Sequence, residues 1–288
     1  MTAPPFTVEA KNPQVVTVRC KPSGKDWCQW FLLRTDAHHD NPHTDQDLER
    51  KHLQEAVERG AGVVCAGDLH CAMQGKWDKR ADKSCLREEH QCGDYLDALV
   101  RTASEFYAPY AKNWIVMGRG NHESSIKNRH ETDLTERTIE RIQMLTGTRI
   151  PSGGYTGWVR ILLERGNHRA SVRLWYCHGW GGGGAVTMNM IQAANRMPMM
   201  VDGADVIFTG HVHEAWVAEK VRVGLSDMGE IRQRTLHVCQ GATYKDEYGD
   251  GRGGWHVETG KPPKPVGAWW MKVEHIAGEP VVSFERAK

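Results

Sequence analysis

Five short blocks combine carboxylate, carboxamide and imidazole groups at close spacing: Asp36-Ala37-His38, Gly67-Asp68, Gly120-Asn121-His122, His178-Gly179 and Gly210-His211-Val212-His213. Two carboxylates, several imidazoles and one carboxamide oxygen, with no thiolate, form a mixed nitrogen and oxygen donor set suited to divalent ions such as Zn, Mn or Fe. Asp36 and His38, like His211 and His213, occupy alternate positions, so both side chains of an extended segment can point the same way. A glycine before Asp68, Asn121 and His211 lets the backbone turn sharply and approach a ligand closely. The donors exceed what one ion requires, whereas two ions about 3.5–4 Å apart and bridged by a carboxylate use them all. Each block alone is ordinary, since aspartate beside glycine is a common turn signal and His-x-His suits a solvated strand. Their recurrence in the same place, after one apolar run after another, is what carries the reading.

Those apolar runs are the elements that must position the blocks. They read WFLLRT (30–35), GVVCAG (62–67), WIVMGRG (114–120), VRLWYCHG (172–179) and DVIFTG (205–210), each short, apolar on both faces and ended by polar or glycine residues. Helical patterns lie between them at 44–59, 93–107, 133–146 and 185–196. Strand alternating with helix predicts a layered α/β domain with partly parallel pairing, whose ligands gather outside the carboxyl ends of the strands. The expectation is that all five runs deliver their groups to the same edge of one sheet. The second half is richer in short β segments, which predicts a mixed sheet, or two sheets packed with helices outside. Residues 71–93 and 241–267 read as long loops and, at that length, as candidate substrate-site insertions.

The 288 residues suit a single domain spanning 1–288, and Lys+Arg 37 against Asp+Glu 36 leaves a formal charge of +1. No global field therefore points to nucleic acid or an acidic membrane surface. The eight cysteines are irregularly spaced without a Cys-x-x-Cys, and the first residues lack the apolar core of a signal peptide, so the chain reads as a cytoplasmic protein with reduced thiols. Cys71, Cys85, His90 and Cys92 offer a small metal site, though at separations that match no common zinc pattern. No apolar run reaches the ~20 residues that cross a bilayer.

The ordered set D-x-H, G-D, G-N-H-E, H-G and G-H-V-H, running from 36 to 213, resembles the calcineurin-like metallophosphoesterase superfamily. That resemblance implies an αββα sandwich of two sheets and a binuclear centre of Mn, Zn or Fe, with Mn favoured. It implies that Asp36, His38 and His213 hold one ion, that Asn121, His178 and His211 hold the other, and that Asp68 bridges them. His122 is then the histidine that contacts phosphate and protonates the leaving group, after attack by a metal-bridging hydroxide. Glu123 is expected to orient His122 or a neighbouring backbone turn.

Departures from the family's patterns bear on the substrate. Protein phosphatases of the superfamily carry G-D-x-x-D-R-G at the second block, where this chain reads Gly67-Asp68-Leu69-His70-Cys71-Ala72-Met73, with Ala72 in place of the arginine. A dianionic monoester favours such a cationic clamp, so its absence tilts the reading to a phosphodiesterase acting on nucleotides or nucleic acid. A clamp from Arg119, Lys79 or Arg80 would restore the phosphomonoesterase alternative, and a non-catalytic scaffold is the remote one. The glycines at 181–184, beginning with Gly181, could present amides to phosphate at the start of a helix. Together with DAHHDNP and GKWDKR they make the chain similar to phosphoesterases often encoded by bacteriophages and labelled as DNA-repair exonucleases, an analogy that transfers weakly to function. Tyr244, Tyr248, Trp255 and Trp269 are candidates for stacking a base, and His39, His43, His70 and His130 for lining the groove. The face of 133–146, with Glu136, Arg137, Glu140 and Arg141, reads as solvated ion pairs without function.

Overall fold

The computed structural model describes residues 3–21, 27–73, 81, 86–165, 168–182, 184, 186–251, 253–276 and 279–288. Its strands are β1 (Phe6–Asn12), β2 (Val15–Cys20), β3 (Cys28–Arg34), β4 (Gly62–Cys65), β5 (Trp114–Met117), β6 (Thr156–Arg165), β7 (His168–Cys177), β8 (Val206–Thr209), β9 (Trp216–Leu225), β10 (Ile231–Gln240), β11 (Ala268–Ile276) and β12 (Glu279–Ala287). The helices are α1 (Gln46–Glu58), α2 (Tyr95–Tyr107), α3 (Asn121–His130), α4 (Leu134–Thr146), α5 (Met197–Met200) and α6 (Trp255–Glu258). Two mixed sheets result, one of seven strands in the order β1-β2-β6-β7-β8-β10-β9 and one of five in the order β12-β11-β3-β4-β5.

Side-chain alternation builds the layers. Phe31 and Leu33 of β3, Leu174 and Tyr176 of β7, and Val206 and Phe208 of β8 meet in one buried cluster between the sheets. Their neighbours point outward: Leu32, Val63 and Trp270 pack with Leu53 of α1, Phe106 and Tyr107 of α2, and Ile139 and Ile142 of α4. Trp175, Cys177 and Ile207 pack on the opposite outer face against Ala193, Ala194 and Met197. Central strands covered on both sides have no solvent face to mark with polar residues, which is why β4, β5 and β8 read as uninterrupted apolar runs. The result is an αββα sandwich in a single domain.

The expectation of one sheet edge is corrected. β3, β4 and β5 run parallel in the five-stranded sheet, while β7 and β8 run parallel in the seven-stranded one. Apolar runs covered on both faces carry no mark of which sheet they join. Three further differences are local. The helical pattern at 185–196 becomes turns followed by a six-residue π-helical stretch, Ile191–Arg196, that runs into α5. The ten-residue α3 begins at Asn121 itself, and the hairpin of β1 and β2 adds an edge to the large sheet. Among the described residues, no helix is long and apolar enough to cross a membrane. The cysteines described are unpaired. Cys85, Lys79 and Arg80 lie outside the described residues.

Candidate metal centre

Arg34, Cys65 and Met117 end β3, β4 and β5 in register, and Cys177 and Thr209 end β7 and β8 in register. The chain that follows each strand carries one of the blocks. Asp36, His38 and His213 bring ligand atoms within 4.8 Å of one another, and so do Asp68, His178 and His211. Each triad draws on both sheets. Asn121 closes the second, its Oδ1 lying 2.9 Å from His178 Nε2 and 2.8 Å from His211 Nδ1. His178 Nε2 is also 3.0 Å from Asp68 Oδ2.

The backbone at these positions is unusual. Asp36 (φ 51°), His38 (47°), Asp68 (49°), His211 (72°) and His213 (56°) all occupy the left-handed region. That conformation costs an L-residue roughly 1–2 kcal/mol, less for aspartate and asparagine, and clusters where function demands it. Close approach explains two of the glycines: a Cβ on Gly120 would meet Asp68 Oδ1 at 2.0 Å, and one on Gly210 would meet Thr35 Oγ1 at 2.2 Å.

Hydrogen bonds then fix which atoms face inward. Asp36 Oδ2 accepts from Thr35 Oγ1 at 2.7 Å and from the His211 amide at 2.9 Å, while Asp36 Oδ1 is buried with no hydrogen-bond donor. That orphaned oxygen lies 3.3 Å from His213 Nε2, which in turn faces His38 Nε2 at 3.2 Å. His178 donates from Nδ1 to the Ala66 carbonyl at 3.2 Å, leaving Nε2 to point at Asp68 and Asn121. Burial pushes the Asp36 carboxyl up, but the imidazoles of His213 and His178 outweigh it and hold it at about 2. Burial opposes charge on His178 too, yet the carboxylates of Asp68 and Asp36 raise it to about 9. Burial and the neighbouring His122 keep His38 neutral, well below the usual histidine range. A buried orphan carboxylate oxygen, two imidazole nitrogens facing each other at 3.2 Å and a third imidazole set between two carboxylates make a cluster that could hold cations. The donor set fits divalent metal.

His122 stands beside both triads. Its Nδ1 donates to the Cys71 carbonyl, and its Nε2 lies 3.8 Å from Asp68 Oδ2. Cys71 completes a third cluster with His38 and His122. Burial pushes its thiol up to about 12, which makes it a poor ligand at neutral pH. Within the described residues Cys71 meets neither His90, whose Nε2 bonds Thr102, nor the exposed Cys92, so the separate zinc site finds no support there.

Several sequence-based expectations are revised. Glu123 does not reach the His122 ring: it accepts from the His70 amide at 2.8 Å and the Gly120 amide at 2.9 Å, fixing the turn that carries Asn121. His70 is fully buried and bonded to Thr138 Oγ1, and His39 faces Glu49, so neither lines a groove. His43 pairs with Asp250 at 2.6 Å. The Arg119 guanidinium is tied to Asp133, which Lys127 also contacts at 3.1 Å. Tyr244 is buried with its hydroxyl 2.9 Å from His52 Nδ1, and the Trp269 indole donates to the Gln240 carbonyl, so both serve packing rather than stacking. The exposed Tyr248 is anchored to the Lys261 carbonyl. Trp255 opens the four-residue α6. Gly181 has φ +81°, Gly183 lies outside the described residues, and positions 186–189 form turns.

Sequence reasoning missed three supports. Gln240 Nε2, at the end of β10, donates to the Gly210 carbonyl at 2.8 Å and so holds the turn bearing His211 and His213. Asp40 accepts from the amides of Cys71 (2.6 Å) and Ala72 (2.9 Å), positioning the carbonyl that receives His122. Tyr155, edge-on to His178 at 5.4 Å, is the third.

No known protein-family profile matches the chain, and no curated protein does. Among solved structures, a single mutant of Vps29 from Entamoeba histolytica is 11% identical, with 90% of this chain and 99% of that one covered and a TM-score of 0.35. GAP50, described as the anchor in the inner membrane complex of Plasmodium, is 12% identical, with 91% and 85% covered and a TM-score of 0.42. Vps29 of Chaetomium thermophilum is 10% identical, with 90% and 95% covered and a TM-score of 0.34. Scores this low carry no argument, and the fold assignment rests on the chain's own sheets.

Proposed function

We propose that the chain is a metal-dependent phosphoester hydrolase whose centre is held by Asp36, His38 and His213 on one side and Asn121, His178 and His211 on the other, with Asp68 shared. The observation that carries the reading is the pair of adjoining triads, each completed only where the two sheets meet. Two divalent ions bound there supply Lewis acidity to phosphoryl oxygens and a water acidic enough to attack near neutral pH. The protein's own groups do the rest. His122, fixed by the Cys71 carbonyl through Nδ1, keeps Nε2 for the leaving oxygen and, when protonated, delivers a proton to it. The amino end of α3, where Asn121 and His122 sit, adds a positive dipole end that favours a phosphate anion.

The proposed bond is a diester of a nucleotide or nucleic acid. Among the described residues, three cations near the blocks are already paired, Arg119 with Asp133, Lys264 with Glu214 at 2.6 Å and Lys245 with Glu247, which weakens their grip on a dianion. The second reading is a phosphomonoesterase, favoured by Arg119 and Lys127 sharing the one carboxylate of Asp133. Parallel assays of bis-p-nitrophenyl phosphate and p-nitrophenyl phosphate, on metal-stripped protein resupplied with manganese, decide between them. Faster diester hydrolysis supports the first reading, and faster monoester hydrolysis replaces it with the second. Inactivity on both with metal bound points to a scaffold.

A further inference from the structure

The late aromatic residues fail as a stacking surface, but another aromatic pair stands against the candidate centre. Tyr155 packs edge-on to the His178 ring, with centroids 5.4 Å apart and an interplanar angle of 83°. It also stacks on Trp180, with centroids 6.2 Å apart and an interplanar angle of 27°. Tyr155 is tied down by backbone: its hydroxyl donates to the Gly179 carbonyl, and the His178 amide donates to its carbonyl at 2.9 Å. Trp180 is nonetheless 37% exposed, although it follows a fully buried histidine by only two residues.

What surrounds Trp180 suits a ring-sized occupant. Gly179 has φ +105°, which turns the chain so that consecutive residues leave the strand end in different directions. Nothing lies within 4 Å of where a Cβ on Gly182 would be, so the chain two residues after Trp180 is uncrowded. Met188 and Met190, exposed at 37% and 42%, add soft apolar surface along the same segment. One indole face is covered by Tyr155, and an exposed tryptophan held in this way is a preorganised stacking surface that loses little freedom when a second ring lies on it.

We infer that Trp180, backed by Tyr155, is the platform for the base of a nucleoside whose phosphodiester occupies the adjoining centre. This rests on the phosphoesterase reading and narrows its substrate class. The argument is positional: His178 belongs to a triad that would hold phosphate, and the stack reaches it through a single intervening ring. Nucleotides are phosphoesters that carry a flat aromatic base within a few bonds of the phosphorus, on the sugar that joins the two.

Two diesters that share the p-nitrophenolate leaving group test it: thymidine 5′-(p-nitrophenyl phosphate) and methyl p-nitrophenyl phosphate. Wild-type protein should prefer the thymidine ester in kcat/KM. Trp180→Ala should lose roughly tenfold on it, the size expected for one stacked base, through KM, with the methyl ester unchanged and Trp180→Phe restoring most of the loss. Equal loss on both esters, or no loss on either, overturns the platform. Binding gives the independent readout. Thymidine 5′-monophosphate should quench the fluorescence of wild-type protein and bind Trp180→Ala about tenfold more weakly. If wild-type protein cleaves neither ester, the hydrolase reading fails while the quenching titration still decides the platform, an unchanged affinity in Trp180→Ala counting against it.

Discussion

The two sheets bring different things to the centre. The five-stranded sheet supplies Asp36, Asp68, Asn121 and His38, all the negative charge and the amide, while the seven-stranded sheet supplies His178, His211 and His213. Their outer layers differ in the same sense. Behind the small sheet Arg34 is buried with Glu49, ringed by Tyr107, Trp114 and Tyr244, whereas the Arg173–Asp205 pair on the large sheet is partly exposed. Neither sheet holds a complete triad, so the chemistry depends on the packing between them as much as on the ligands. The carboxylates are concentrated in one half and three imidazoles in the other.

The sharpest way to break this division is at the ligands. Asp68→Ala should lower both metal content at fixed free manganese and the rate on bis-p-nitrophenyl phosphate by well over the ~100-fold that loss of an outer supporting group costs. His211→Ala, removing a neutral donor from the other sheet, should cost less. Equal effects would show that charge does not divide as described. His122→Ala should cost about 10²–10⁴-fold in rate while retaining both ions, which metal analysis alongside kinetics checks.

Ion pairs give the next contrast. Glu49→Ala strands a buried guanidinium and should destabilise the protein by about 3–5 kcal/mol. Asp205→Ala breaks a partly exposed pair with Arg173 on the large sheet, together with its bond from the Arg173 amide, and should cost about 1–2 kcal/mol. Urea midpoints of the two variants measure the difference, and a cost for Asp205→Ala as large as that for Glu49→Ala would erase it.

A pH dependence follows from the histidines packed near the small sheet. Burial lowers His52 and His70 from 6.5 to about 4. The unfolded chain therefore binds more protons between those values, so their stabilisation is complete above about pH 6.5 and is lost as pH falls towards 4. Each should cost roughly 1–3 kcal/mol across that window, and His52→Gln should flatten the fall in urea midpoint. The smallest effect concerns backbone. With metal chelated, His211→Gly should gain up to about 1 kcal/mol by relieving its left-handed φ, although it loses the metal, and a loss of stability in chelator would contradict this.

Much of the centre was legible because strand ends in parallel pairing must put their next residues side by side, and five apolar runs each ended in a donor. The partition between sheets was not legible, since β4 and β8, covered on both faces, look alike whichever sheet they join. The supports were hidden for a different reason. Gln240 and Asp40 are distant from their partners in the chain, and a hydrogen bond between remote segments leaves no local pattern. Trp180 was passed over among glycines because exposure of a tryptophan is decided by tertiary packing, not by its neighbours. Glu123 was visible, but only the geometry separates a carboxylate that holds a ring from one that holds a turn.

The left-handed backbone at five of the proposed ligands also sets how this protein would decay. Glycine, asparagine and aspartate tolerate such a conformation best, and a β-branched residue tolerates it least. A lineage released from selection for metal would therefore not scatter evenly through the alphabet at Asp36, His38, Asp68, His211 and His213. It would drift first towards asparagine and glycine, and a silent descendant would keep the outline of the centre in its turns long after the ions were gone.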